Sequence, residues 1–364
     1  MTRPDRELLI GLNLIPQLTP KRTVRLFSTF ASFAEIWQAP PARLGAVLGS
    51  SVIGTAIDAG RSEARLDEEL AKAEERGVRI VTLVDPEYPS LLREIEDPPL
   101  VLYVRGELPI DTSRCLAIVG TRRATRYGKM VAGRLASQLA LKGITVVSGF
   151  AAGTDAAAHQ GTLDVQGKTV AVLGCGIDYP YPKRNQALRE QIVEHGVMMS
   201  EYPLDSKPAK WTFPQRNRIL AGMSRGVIVV QAPERSGALI TARLALEHGR
   251  EVFAVPGNIN ALTSVGSNRL IKEGAKLCES IDDVLVEFPD LRRERDEPSD
   301  DGPAGSLGEL ERAVLDLIGL EPVHVDDIIA RADLSPTEAS HVLLLLQLEG
   351  YIEEVEGGRY VCKP

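Results

Sequence analysis

Short apolar runs alternate with segments of helical periodicity through the middle of the chain. Six of the runs are CLAIV, ITVVS, TVAVLG, VMMSEY, GVIVVQA and EVFAVPG, which fall between Cys115 and Gly257. Strands that read as unbroken apolar runs are buried on both faces, which is typical of a parallel sheet covered by helices. The pattern predicts an α/β protein with a Rossmann-like central domain over residues 76–290. Its first part, residues 76–112, reads as a connector, because prolines interrupt the sequence after the apolar run RIVTLV.

The two ends of the chain follow other patterns. Residues 1–75 show helical periodicity broken by short turns and predict a small helical domain. Its stretch LTPKRTVRLFSTFASFAEI is similar to SAM-like or helix-hairpin-helix modules that touch nucleic-acid backbone, and packing alone explains it equally well. Residues 291–306 have the charged, Pro- and Gly-containing composition of a linker. Residues 307–364 read as three helices and a hairpin turning at Gly357 and Gly358, which predicts a winged-helix domain.

The overall composition is that of a globular protein, with 44% hydrophobic and 25% charged residues. No apolar run approaches the roughly 20 residues that span a bilayer, and the N-terminus lacks a signal-peptide pattern. We therefore expect a cytoplasmic protein without a membrane partner. The four cysteines lack metal-ligand or redox spacing, which indicates buried thiols and no metal site.

Charge is divided unevenly along the chain. The net charge of −8 argues against a nucleic-acid partner, since phosphate binding depends on clustered Lys and Arg. Residues 114–287, however, contain 22 Lys and Arg against 15 Asp and Glu, a net of +7. Residues 307–364 contain 4 against 12, a net of −8. The central domain is therefore basic, and the acidic tail accounts for the overall balance.

Glycine-rich loops follow several of the predicted strands. The first, GTRRATRYG at residues 120–128, has neither the glycine spacing of a dinucleotide fingerprint nor a carboxylate at the end of the next strand. The chain also lacks the GKS or GKT of a P-loop. Glycine nevertheless allows a backbone to approach phosphate closely. These loops therefore favour a phosphate-containing ligand and indicate no nucleotide cofactor.

A second cluster, KPAKWTFPQRNRILAG at residues 207–222, interleaves cations with aromatic side chains. Lys207, Lys210, Arg216 and Arg218 surround Trp211 and Phe213. This combination of phosphate neutralisation and base stacking is typical of single-strand binding. The alternative, a core aromatic pair with solvated cations around it, fits the composition equally well.

Several ordered motifs carry a family resemblance. They are AIVGTRRATRYG, VVSGFAAGTDAAAH, VAVLGCGIDYPYPKRN, SEYP, FPQRNRILAG, SGALITARLALEHGREVFAVPG and GSNRLIKEGA. In this order the chain resembles the DNA-processing protein family DprA, also called Smf, densely over residues 80–290. The resemblance implies a Rossmann-like homodimer that binds and protects single-stranded DNA and helps to load the RecA recombinase in natural transformation.

The resemblance also implies a DNA site in this sequence. Its residues would be Gly120, Thr121, Arg122, Lys210, Phe213, Arg216, Asn217 and Arg218. Ser148, Gly149, Gly153 and Asp155 would shape the adjoining loop, with Asp155 orienting a cation or capping a helix. Thr154 stands where the family usually has isoleucine, which we expect to be a neutral packing change.

Other functions depend on a few remaining side chains. A hydrolase would need a base, and His159, Glu201 and Glu234 are the candidates, with His159 more readily explained as a structural histidine. A phosphoribohydrolase similar to the LOG-type enzymes would need a glutamate where this chain has Ala242, so we expect no enzyme. A third alternative is a winged-helix transcription regulator.

That last alternative depends on a tail that reads duplex DNA. The predicted third helix of the tail, residues 336–350, contains no Lys or Arg, and the wing is rich in glutamate. Groove entry requires cationic or amide side chains. We therefore expect residues 307–364 to bind protein rather than DNA.

Overall fold

The computed structural model describes residues 4–292, 309–318, 322–332, 334–348, 351–355 and 357–362. The chain divides into two compact units, with the division after residue 295. Within the described residues, no helix combines the length and apolar character needed to cross a membrane.

Six short helices open the first unit. They are α1 (Asp5–Asn13), α2 (Pro20–Phe27), α3 (Phe33–Gln38), α4 (Pro41–Leu48), α5 (Ser51–Gly60) and α6 (Glu63–Glu75). Local sequence explains several of their ends. The side chains of Ser32, Ser50 and Ser62 each accept a backbone hydrogen bond at a helix N-terminus, and Gly49 ends α4 in the left-handed conformation.

A nine-stranded sheet forms the centre of this unit. Its strands are β1 (Arg79–Thr82), β2 (Val101–Gly106), β3 (Cys115–Val119), β4 (Thr145–Ser148), β5 (Thr169–Leu173), β6 (Val197–Ser200), β7 (Gly226–Val229), β8 (Glu251–Ala254) and β9 (Lys276–Leu277). The order is β1-β2-β6-β5-β4-β3-β7-β8-β9. The strands from β6 to β9 in this order are parallel, whereas β1 and β2 add an antiparallel edge. The predicted Rossmann-like, mostly parallel sheet is confirmed.

Helices cover both faces of the sheet. They are α7 (Ser90–Arg93), α8 (Arg126–Leu141), α9 (Thr154–Leu163), α10 (Gln186–His195), α11 (Thr212–Gly222), α12 (Gly237–Glu247), α13 (Val265–Lys272) and α14 (Ile281–Glu287). Alternate residues of β3 show the two layers. Ala117 packs in the core beneath α11 and α12, while Leu116 and Ile118 pack in the core beneath α8. All five residues of β3 are buried, which explains the unbroken apolar run.

The connector predicted over residues 76–112 becomes part of the sheet. Pro98 and Pro99 exclude a helix, but β2 begins two residues after Pro99 and pairs with both β1 and β6. Proline therefore interrupted the helical pattern without preventing strand formation at the edge. The two-residue β9 also had no counterpart among the predicted strands.

The N-terminal helices share a core with the sheet. Leu9 and Leu66 belong to the same buried cluster as Tyr103 and Leu173. Asn13 also donates a hydrogen bond from Nδ2 to the Glu201 carbonyl at 3.1 Å. Residues 1–75 were predicted as a domain of their own, but the described part, residues 4–75, packs within the same compact unit as the sheet. The apolar faces of these helices are buried against the sheet, so no break in packing separates the two segments.

The second unit is a winged helix, as predicted. It contains α15 (Glu309–Leu317), β10 (Val323–His324), α16 (Val325–Ala332), α17 (Pro336–Leu348), β11 (Ile352–Val355) and β12 (Arg359–Cys362). Gly357 and Gly358 turn the hairpin with positive φ angles of 85° and 67°. A core of its own includes Val314, Ile328 and Leu346. Of the predicted linker, residues 293–306 lie outside the described residues, and Leu291 is buried in a 3₁₀ turn.

Candidate nucleic-acid interface

The strand order defines a crevice between β3 and β7. From β3 the chain continues to β4 on one side, whereas β7 leads to β8 on the other side. In open α/β sheets, ligands bind beyond the carboxyl ends of the strands at such a switch point. A cleft of about 630 Å³ lies there, lined by residues of the loop after β3, the start of α11 and the loop before α12. We call it the switch-point cleft.

The loop after β3 is fixed to the loop after β7. The Thr121 amide donates to the Gln231 carbonyl at 2.8 Å, and the Thr125 amide donates to Gln231 Oε1 at 3.0 Å. Thr125 in turn caps α8, accepting from the Gly128 amide at 3.1 Å. These bonds hold the backbone on both sides of Arg122, whose own side chain remains exposed.

Gly153 supports this loop from below. Its φ is 83°, and a Cβ at this position would lie 2.5 Å from the Thr121 carbonyl oxygen. A Cβ on Gly120 would likewise lie 2.4 Å from Thr154 Oγ1. The Thr154 hydroxyl donates to the Thr121 carbonyl at 3.3 Å, so this threonine adds a hydrogen bond that isoleucine lacks.

A cation and two aromatic rings meet at the cleft. The Arg122 guanidinium carbon lies 4.7 Å from the centroid of the Phe213 ring. The Tyr181 ring packs against the same Phe213 ring at a centroid distance of 5.7 Å. Gly174 makes room for Phe213, because a Cβ there would approach Cδ1 to 2.8 Å. Lys210 lines the same cleft and is exposed. Gly120, Thr121 and Arg122 of the first predicted loop are therefore adjacent in space to part of the predicted cluster 207–222.

Helix α11 divides the predicted arginines between two environments. Phe213, Arg216 and Asn217 are three and four residues apart, share a helical face and line the switch-point cleft. Arg216 is nevertheless only 4% exposed, and its Nη1 donates to the carbonyls of Gly149, at 2.7 Å, and Val172. Burial lowers the pKa of Arg216. Its guanidinium thus holds the ends of β4 and β5.

Arg218 lies on another side of α11. It lines a separate cleft and pairs there with Glu201, at 2.5 Å between Nη2 and Oε2, and with Asp97 at 3.4 Å. The Arg218 side chain is only 5% exposed. The structure therefore does not bring Arg218 to the switch-point cleft, although sequence analysis grouped it with Arg122 and Lys210. The structure brings Asn217 there, and Asn217 Nδ2 donates to the Gly237 carbonyl at 3.2 Å.

Three of the residues predicted to shape the neighbouring loop, Ser148, Gly149 and Asp155, are buried, and Asp155 lines the cleft. Ser148 donates a hydrogen bond to the Ile118 carbonyl at 2.6 Å. Asp155 accepts from the Ala151 amide at 3.2 Å, and a Cβ on Gly149 would lie within 2.7 Å of both Asp155 Oδ2 and Arg216 Nη2. Burial raises the pKa of the Asp155 carboxyl, and the Arg216 charge opposes this rise. Asp155 lies in the first turn of α9, whose N-cap is Gly153.

The candidate catalytic groups lie on different elements and in different surroundings. His159 is fully buried, with Nδ1 2.7 Å from Thr169 Oγ1, and burial lowers its pKa to about 3. Glu201 is paired with Arg218, Glu234 is exposed, and Ala242 is buried in α12. Over the described part of the chain, no group of His, Cys, Asp or Glu side chains has the arrangement of a metal site.

Comparison with known proteins agrees with these features. Residues 79–289 match the family model for DNA recombination-mediator protein A, and residues 298–358 match the DprA winged helix domain. The chain belongs to the DprA/Smf family. Protein Smf of Synechocystis is 33% identical over 99% of both chains, and DprA of Bacillus subtilis is 41% identical over 64% of this chain and 79% of its own length.

Solved structures of this family have the same fold. The structure of DprA from Streptococcus pneumoniae aligns with a TM-score of 0.66 and 34% identity, covering 79% of this chain and 99% of its own. The structure of DNA processing protein A from Helicobacter pylori, described for its single-stranded DNA binding mode, aligns with a TM-score of 0.53 and 34% identity. That alignment covers 58% of this chain and 96% of the other.

The cleft of this DprA/Smf chain is also lined by residues that were not among the predicted site residues. Arg123, Tyr181, Arg235 and Ser236 line it as well. Arg123 and Arg235 each follow a predicted strand, so their position after a strand was the available signal. Tyr181 follows β5 at a greater distance, and only the packing against Phe213 identifies it.

Proposed function

We propose that the switch-point cleft binds single-stranded DNA and requires no nucleotide cofactor. The observation that carries this proposal is the exposed Arg122 guanidinium held 4.7 Å from the Phe213 ring, with Lys210 at the same cleft. Cations neutralise phosphates, and an aromatic face accepts a base of any sequence. In duplex DNA the base faces are stacked on one another, so this arrangement favours unpaired strands.

The cations at the cleft are available to a ligand. Arg122, Arg123, Lys210 and Arg235 are exposed, and none of them forms an ion pair within residues 4–292. Arg216 differs, because its hydrogen bonds already go to strand-end carbonyls. We infer that the first four side chains contact phosphates while Arg216 holds the floor of the cleft. The N-terminus of α12, capped by Ser236, lies at the same cleft and favours an anion.

Membership in the DprA/Smf family supports the wider role. The matched family model is named for recombination mediation, and the Helicobacter pylori relative is described as binding single-stranded DNA. We infer that this protein acts in the cytoplasm as a non-enzymatic homodimer that protects incoming single-stranded DNA. We also infer that it helps to load RecA during natural transformation.

Two experiments test the homodimer and the RecA role. Light scattering that finds only monomer at micromolar concentration, with DNA binding intact, would contradict the dimer. Unchanged RecA assembly on single-stranded DNA would contradict the loading role.

Salt dependence tests the binding mode directly. Four phosphate contacts predict a slope of about −3 in log affinity against log salt for a single strand, which is roughly a 50-fold loss between about 50 and 200 mM salt. Fluorescence anisotropy with labelled oligothymidylate measures this, with a duplex and free ATP as competitors. We expect weak competition from the duplex and none from ATP. Salt-independent affinity would overturn the proposal.

Variants locate the site. Arg122→Ala and Lys210→Ala are expected to weaken binding without unfolding the protein, because both side chains are exposed. Phe213→Ala should cost about 1–3 kcal/mol of binding free energy. Lys168→Ala is the matched control, since Lys168 is 66% exposed and pairs with Glu107 at 3.0 Å. Normal DNA affinity in folded Arg122→Ala protein would remove the loop after β3 from the site.

A further inference from the structure

An exposed tryptophan lies next to the switch-point cleft. Trp211 is 63% exposed, an unusual value for a side chain that is largely buried on average. The ring is nevertheless oriented, because it meets Tyr202 at a centroid distance of 6.1 Å and an interplanar angle of 77°. Tyr202 is itself buried, and its hydroxyl donates to the Thr212 carbonyl at 3.1 Å. A perpendicular contact covers at most one face of the indole and leaves the other face open.

Trp211 belongs to a segment that separates two clefts. Lys210 and Phe213 line the switch-point cleft, whereas Lys207 and Trp211 line a second cleft of about 560 Å³. Lys207 and Lys210 are both exposed, and neither takes part in an ion pair among the described residues. A strand that leaves the first cleft over this segment therefore meets two available cations beside an open aromatic face.

The second cleft beyond Trp211 has a different electrostatic character. Lys72 there is already paired with Glu68, at 2.7 Å, and with Asp205, at 3.3 Å. Glu69 lies deeper and accepts from the Leu204 amide at 2.8 Å. Arg65 also lines this cleft and donates to the Leu14 carbonyl at 3.2 Å, and Arg218 there is paired with Glu201. The carboxylates repel phosphates, whereas an uncharged base edge is tolerated. The charge pattern therefore allows a base at the mouth of the second cleft and keeps the backbone on the lysine side.

We propose that Trp211 is a second stacking platform, which receives a base of the single strand as the strand leaves the switch-point cleft. The proposal rests on the proposed function of that cleft. It extends the DNA path from Phe213, across Lys210 and Lys207, to the rim of the second cleft. The strand's phosphates remain beside the two lysines, and the path ends where the carboxylates begin.

Intrinsic fluorescence provides a direct test, because the chain has two tryptophans, Trp37 and Trp211. Trp37 packs against Gly11 in the helical core, so the exposed Trp211 is the indole that DNA reaches. In the full chain carrying Trp37→Phe, oligothymidylate should quench the remaining emission with the same midpoint as the anisotropy of a labelled strand. An oligonucleotide with abasic sites should bind with far less quenching.

Affinity measurements give a second readout. Trp211→Ala should weaken binding of oligothymidylate by roughly 5- to 150-fold, the range of one base–aromatic stack, whereas Trp211→Phe should retain most of the affinity. Val52→Ala, which shortens a 76% exposed apolar side chain on α5, is the control and should change nothing. Tight binding with unchanged Trp211 emission and normal affinity of Trp211→Ala would overturn this inference alone. No single-strand binding by the wild-type chain would overturn the proposed function as well.

Discussion

Replacement of Arg218 by alanine separates folding from DNA binding in the basic segment of α11. In the structure its guanidinium is 5% exposed and joins Glu201, at 2.5 Å, with Asp97, at 3.4 Å. Glu201 is itself only 8% exposed. Arg218→Ala therefore leaves a buried carboxylate without its cation and removes nothing from the switch-point cleft.

The expected loss of stability in Arg218→Ala follows from this burial. Removing one partner of a buried ion pair typically costs about 3–5 kcal/mol, because the remaining charge stays desolvated. At about 2 °C per kcal/mol for a unit of this size, the melting temperature should fall by about 6–10 °C. Asp97, whose side chain is 26% exposed, can recover water and should contribute little to the loss.

Urea denaturation followed by circular dichroism measures the stability loss, and anisotropy measures affinity under conditions where the variant is folded. We expect normal affinity for single-stranded DNA per folded molecule. The double variant Arg218→Met with Glu201→Gln should recover much of the stability, because it removes the unpaired charge.

Either of two results would contradict the structural role predicted for Arg218. A loss below about 1 kcal/mol, the value expected of an exposed ion pair, would show that the pair is not desolvated as the structure indicates. A large loss of DNA affinity in folded Arg218→Ala protein would place Arg218 in the DNA site and return it to the group of Arg122 and Lys210.

Two further predictions concern the support of the cleft and the second unit. Gly153→Ala should cost about 1–3 kcal/mol of stability and weaken DNA binding, because its Cβ would lie 2.5 Å from the Thr121 carbonyl oxygen at a φ of 83°. Urea denaturation and anisotropy measure the two effects. Gly133→Ala is the control, because the nearest atom to its Cβ would be 3.6 Å away. The isolated winged helix, residues 307–364, should show no duplex binding in a low-salt mobility-shift assay, because the exposed face of α17 presents Glu338 and His341 rather than cations. Micromolar affinity for duplex DNA would contradict the prediction that this domain binds protein rather than DNA.

Sequence predicted the strands and helices well because their signals are local. A strand buried on both faces reads as a continuous apolar run, and β3 to β8 each coincide with one. The winged helix followed from three amphipathic segments and the Gly357–Gly358 turn. The antiparallel strand β2 was missed because the prolines before it indicated only where a helix is excluded.

The candidate site was predicted less completely, because it depends on which side of each element faces solvent. Lys210, Arg216 and Arg218 fall within nine residues and look equivalent in a list of charges. Only the packing of α11 against the sheet shows that Lys210 is exposed, Arg216 binds strand-end carbonyls and Arg218 is paired with Glu201. Exposure is a property of the assembled layers, which a count of cations does not contain.

The amino-acid sequence by itself thus determined the α/β class, the winged helix, the basic character of the central segment and the glycines that allow close backbone approach. The tertiary structure alone decided that the N-terminal helices share a core with the sheet, and that Arg122 lies over Phe213. Arg122 and Phe213 are 91 residues apart in the sequence. Their contact depends on the strand order that places β3 beside β7, and no local pattern in the chain encodes that order.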